Sequence, residues 1–103
     1  MKKKTILITG ASSGIGEALA YHYANQGATL FICGRDEARL KAVSDKCREL
    51  GAQISEAVID VTDKKALTEW ILAADNTAQL DLVIANAGIS GGTGGRSTGE
   101  DLT

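Results

Sequence analysis

The chain is poor in the residues that usually announce a metal centre or a disulfide scaffold. It has one histidine, His22, and two cysteines in 103 residues. Cys33 and Cys47 share no metal-ligand spacing. One falls in an apolar run and the other on the apolar stripe of a helix, so both are expected as buried, reduced thiols, and no metal site is expected. His22 reads as a helix-surface residue. An excess of one charge is also lacking: 11 Lys and Arg stand against 13 Asp and Glu, a formal net charge of -2. Lys2, Lys3 and Lys4 are too few and too local to make a basic field, and no nucleic-acid partner is expected. No apolar run approaches the ~18 residues that span a bilayer. The Met-Lys-Lys-Lys start leads directly into a short strand rather than into a signal-peptide core. A cytoplasmic protein without a membrane partner is therefore the expectation.

What is present is an alternation of strands and helices. With 44% hydrophobic and 23% charged residues, the composition is that of one ordinary globular unit, able to bury ~60–70% of its unfolded surface. The run Thr5 to Thr9 is apolar without alternation, as expected of a strand buried on both faces. Glycines end it, and from Ile15 the pattern turns helical, with Ile15, Ala18, Leu19 and Tyr23 on one stripe and Gly27 at the end. A second strand is expected over Ala28 to Cys33. A helix follows from Asp36 to Leu50, with Leu40, Val43, Cys47 and Leu50 facing inward and Gly51 beyond it. Ala52 to Val61 reads as a third strand. Thr62 or Asp63 can cap a third helix with Leu67, Trp70, Ile71 and Ala74 on its apolar face, and Leu80 to Asn86 reads as a fourth strand. This order implies right-handed βαβ crossovers and a parallel sheet covered by helices, an α/β class.

From Ala87 to Gly99 the composition changes to glycine and small polar residues, holding six of the twelve glycines. Such a stretch buries too little to order itself, and Ser90 to Gly99 is expected to be a disordered tail or linker. Glu100 to Thr103 reads as the first turn of a helix that does not follow, so the chain looks interrupted. The expected division is residues 1–88 as the folded unit and 89–103 as tail.

A glycine turn between a buried strand and a helix has a chemical use. The helix N-terminus presents unpaired N–H groups and the positive end of the macrodipole, and glycine lets a phosphate approach them. In "TGASSGIG", Gly10 permits the sharp exit from the strand, Gly14 removes a Cβ that would block a pyrophosphate, and Gly16 permits close helix packing. Ser12 and Ser13 add hydroxyl donors. These residues resemble the short-chain dehydrogenases/reductases, whose motif TGxxxGxG stands here as Thr9, Gly10, Gly14 and Gly16. The family's NNAG signature stands as Ala85-Asn86-Ala87-Gly88, with alanine for the first asparagine. Asp60-Val61 matches the pair that ends its third strand. The resemblance covers residues 4 to 88. It implies a Rossmann-type, doubly wound sheet, here cut to four strands in the order 3-2-1-4 with three helices. It also implies a cofactor site comprising Gly10, Ser12, Ser13, Gly14, Ile15, Gly16, Arg35, Asp60, Val61, Asn86, Ala87 and Gly88. Asp60 would meet the adenine amino group and the Val61 N–H a ring nitrogen.

Where NAD enzymes of this family carry aspartate at the end of the second strand, Gly34 stands, followed by Arg35. A guanidinium suits a 2′-phosphate, so NADP(H) is favoured over NAD(H); the alternative is that Arg35 only pairs with Asp36 or Glu37. The family's catalytic serine, tyrosine and lysine have no counterpart. The only tyrosines are Tyr21 and Tyr23, neither followed by a lysine four positions on. No catalytic residue is assigned. The chain is therefore expected to be the cofactor-binding part of an oxidoreductase that acts, as a complete protein, on a small carbonyl or alcohol substrate. A stand-alone nucleotide-binding module and a structural fragment remain open. An unguarded fourth strand at a sheet edge points to a homo-oligomer.

Overall fold

The computed structural model describes residues 4–12 and 14–86. In chain order the elements are β1 (Thr5–Thr9), α1 (Gly14–Ala24), β2 (Thr29–Gly34), α2 (Glu37–Glu49), β3 (Gln53–Val58), α3 (Lys64–Thr77) and β4 (Leu82–Ala85). The four strands form one parallel sheet in the order β3-β2-β1-β4. This is the expected doubly wound, Rossmann-type arrangement. Its order reverses between β1 and β4, the place where such sheets open a crevice at their carboxyl ends.

The unbroken apolar run of β1 is explained by burial on two faces. Ile6 and Ile8 join Leu30 and Ile32 of β2 in a core closed by Ala20 and Ala24 of α1 and by Leu40, Val43 and Cys47 of α2. Leu7 points the other way and packs with Phe31 and Ala74, with Trp70 and Ile71 of α3 alongside. Both cysteines are buried free thiols. The cap of α3 is Asp63 rather than Thr62. Its Oδ1 accepts from the Ala66 N–H at 3.1 Å, as Asp36 Oδ1 does from the Arg39 N–H at 3.1 Å at the start of α2.

Three expectations need correction. The buried stripe of α1 is Gly16, Ala20 and Ala24, whereas Ile15 is 72% exposed, Ala18 is exposed, and Leu19 and Tyr23 are only half-buried. The helix lies so close to the strands that only small residues fit beneath it. On α2, Ser44 is buried beside Leu40 and Val43, while Leu50 is the half-buried C-cap. The expected face of α3 stands, with Ala74 buried and Trp70 and Ile71, half-buried like Leu67, packed beside it. The outer strands are also shorter than the apolar runs that mark them. The β2–β3 ladder stops at Gly34 opposite Val58, and the β1–β4 ladder at Thr9 opposite Ala85. A strand cannot outrun its partner in a ladder. The expected boundary at residue 88 and the tail beyond it lie outside the described residues. No helix among the described residues is long and apolar enough to cross a membrane.

Candidate functional site

Because all four strands are parallel, their carboxyl ends lie at one end of the sheet, and every described residue of the expected site follows one of those ends. Gly10, Ser12, Gly14, Ile15 and Gly16 follow β1, Arg35 follows β2, Asp60 and Val61 follow β3, and Asn86 follows β4. Ser13, Ala87 and Gly88 lie outside the described residues.

The turn after β1 is fixed from both sides. The Ala11 N–H donates to the Cys33 carbonyl at 2.9 Å, tying it to β2. On the other side, Asn86 Nδ2 donates to the Gly10 carbonyl at 3.1 Å, and Thr9 Oγ1 donates to the Asn86 carbonyl at 3.2 Å. Asn86 thus bridges β4 to the exit of β1. This crowding explains two of the glycines. Gly10 has a φ of 65°, and a Cβ there would collide with the Asn86 carbonyl oxygen; a Cβ on Gly16 would collide with the Gly10 carbonyl oxygen. Both are required by the scaffold before any ligand is considered. Gly14 is different. Its φ is 61°, and a Cβ there would meet nothing within 4 Å among the described residues. It opens α1 toward free space, where the first N–H groups of the helix have no intrahelical acceptors.

At the end of β2, Arg35 is exposed and forms no ion pair among the described residues. Its chain neighbour Asp36 is engaged elsewhere, capping α2 and lying 3.7 Å from Arg39 Nε. Across from Arg35, Asp60 sits in a turn in which Thr62 donates twice to its Oδ1, from the backbone N–H at 2.9 Å and from Oγ1 at 2.7 Å. These bonds, with help from the Arg35 charge, hold the carboxyl below the usual aspartate range. The group is an anion beside a cation at the mouth of the sheet.

Sequence reasoning offered Thr62 only as a helix cap and missed its bonds to Asp60, as it missed the latching role of Thr9. Thr62 had a local signal, since an aspartate followed two residues later by threonine is a ready Asx-type turn. Thr9 had none, because its partner lies 77 positions away.

Two groups away from this cluster are held toward their protonated forms. The Tyr21 hydroxyl donates to Glu17 Oε2 at 2.8 Å, and burial together with that carboxylate pushes its pKa up to about 12. Burial also raises the Cys33 thiol, partly offset by the Gly10 backbone N–H, so Cys33 is a poor nucleophile.

Comparison with known proteins fits this geometry. The chain is 43% identical over 94 residues to an uncharacterized oxidoreductase of Myxococcus xanthus (strain DK1622), a match covering 90% of this chain and 37% of the relative. A tryptophan variant of actinorhodin polyketide ketoreductase, solved with NADPH, superposes with a TM-score of 0.78 at 30% identity over 87% of this chain and 35% of that one. Xylitol dehydrogenase bound to NAD+ gives a TM-score of 0.72 at 26% identity, over 78% and 31% respectively. The chain thus spans about a third of the length of the proteins it matches. The family model for short chain dehydrogenases matches residues 4–101, and this chain belongs to that family of oxidoreductases.

Proposed function

We propose that the chain is the NADP(H)-binding part of an oxidoreductase that, in its complete form, interconverts a small carbonyl compound and the corresponding alcohol. The observation that carries this reading is the convergence at one end of the sheet of an open helix N-terminus, a guanidinium with no ion pair among the described residues and an ionised carboxylate. The space around Gly14, open among the described residues, makes room for a pyrophosphate against the first N–H groups of α1. Arg35, with no competing ion pair among the described residues, is free to take a 2′-phosphate in a charge-assisted contact. The Asp60 carboxylate uses Oδ1 for Thr62 and keeps Oδ2 for an adenine amino group. Ser12, Ser13, Ile15, Val61, Asn86, Ala87 and Gly88 complete the proposed site, and Gly10 and Gly16 shape its floor.

When bound, the cofactor supplies or accepts the hydride. The residues of this chain contribute binding and orientation, and none is assigned to proton transfer. Tyr21 is bonded to Glu17 and holds its proton too tightly to serve as a general acid near neutral pH. The chain alone is therefore proposed to be inactive, with the homo-oligomeric complete protein carrying the reaction. Titration of the purified chain with NADPH and NADH by calorimetry tests the binding reading: NADPH should bind more tightly. Absence of binding by either would overturn it. Enzyme-dependent NADPH oxidation from material of verified mass would contradict the proposed inactivity.

A further inference from the structure

The segment between β3 and α3 is tied at both ends. At its start the Ile59 N–H donates to the Gly34 carbonyl at 3.0 Å, next to Arg35 in the chain. At its end the Asp63 N–H donates to the Asp60 carbonyl at 2.8 Å, and Asp63 caps α3 through its own carboxylate. Within this closed turn both donors of Thr62 converge on one atom: Asp60 Oδ1 accepts from the Thr62 N–H at 2.9 Å and from its hydroxyl at 2.7 Å. The torsion that turns a carboxylate about its Cβ is broad, so an aspartate held by nothing presents either oxygen over a wide range of directions. Two bonds to Oδ1 remove that freedom. The oxygen left for a ligand is Oδ2, to which no described residue donates.

We infer that Thr62 is a positioning residue for base selection: by holding Oδ1 it makes Asp60 a single oriented acceptor, matched to an exocyclic amino group and mismatched to a ring carbonyl. This rests on the proposed nucleotide site and gives its base preference to a residue that acts only through Asp60. A fixed carboxylate oxygen can accept from the amino group of adenine but meets the carbonyl oxygen of hypoxanthine as acceptor against acceptor. A carboxylate free to turn loses part of that contrast, because it must be ordered at the moment of binding and can swing away from a mismatched oxygen. Thr62 is exposed, so its side chain can be changed without disturbing the core.

The test is calorimetric titration of the full chain with NADPH and with its hypoxanthine analogue, the ratio of the two dissociation constants giving the base preference. The unsubstituted chain should prefer adenine at least about tenfold. Thr62→Val keeps the shape and the backbone donor but removes the hydroxyl, and should cut that preference about fivefold, mainly by weakening NADPH. Thr62→Ser keeps the hydroxyl and should retain the preference. Asp60→Asn reads the orientation itself. Both donors of Thr62 then hold the amide oxygen and leave the amide NH2 for the base, so the preference should shift toward hypoxanthine, and that shift should shrink in the Thr62→Val background. Equal weakening of both dinucleotides by Thr62→Val, or a preference that Thr62→Val leaves unchanged, overturns the inference while leaving the nucleotide site intact. An unsubstituted chain that binds both dinucleotides equally overturns the role of Asp60, and with it that of Thr62. One that binds neither overturns the site itself.

Discussion

On the face of the sheet covered by α1 and α2, Ile6, Ile8, Leu30, Ile32, Leu40 and Cys47 are sealed completely from solvent. On the face covered by α3, the buried apolar cluster holds only Leu7, Phe31 and Ala74, while Leu72 is 64% exposed on the helix and Val83 46% exposed on β4. The difference places the proposed site. Its most constrained parts, the turn after β1 and the end of β2, border the well-packed face, where two helices fix the strands that carry them. The β4 and α3 side supplies Asn86 as a bridge but leaves apolar surface uncovered, and uncovered apolar surface is where association occurs.

The comparison breaks most clearly in the cores. Leu40→Ala, at a fully buried position, should cost ~2–5 kcal/mol, whereas Ile71→Ala, half-buried on α3, should cost about half as much. Urea unfolding of both variants checks this, and equal losses would mean that the two faces are equally packed. Next in size is the effect at the edge. Val83→Lys places a charge on an exposed strand that, among the described residues, pairs on one side only, and should reduce concentration-dependent light scattering with little change in the unfolding midpoint. Unchanged scattering would show that this edge does not mediate association.

The smallest effect sharpens the packed face alone. Burial raises Cys47 from 9.0 to about 11, and burial with the Glu17 contact raises Tyr21 from 10.0 to about 12. Both acids favour their neutral forms in the folded chain. Their stabilisation is thus complete below pH 9 and is lost as pH rises through about 11 and then about 12. Urea midpoints should fall over that window, and Tyr21→Phe should flatten its upper part. A midpoint independent of pH there would contradict the burial of these groups.

How much of this was legible depended on the kind of signal. β1 was readable to the residue, because a strand buried on both faces leaves an unbroken apolar run. The cap of α3 was readable to within a residue, as Thr62 or Asp63, because a short acceptor side chain before an amphipathic stretch has one obvious use, whereas Asp36 reads as the first residue of α2 and is its cap. The buried face of α1 was not. Hydrophobicity favours Ile15 and Leu19, yet the helix approaches the sheet through Gly16, Ala20 and Ala24, and close approach rewards smallness rather than apolarity. In the candidate site the glycines and Arg35 stood out as residue types at a spacing. The Thr9–Asn86 and Asn86–Gly10 bonds join residues distant in sequence, and only the fold brings them together.

The central claim is that the end of β2 reads a 2′-phosphate through Arg35, and calorimetric titration of Arg35→Ala with NADPH and NADH tests it most directly. The account predicts a loss of roughly 1.5–3 kcal/mol for NADPH and almost none for NADH, the range of a charge-assisted contact. Equal losses for the two cofactors, or no loss for NADPH, would contradict it.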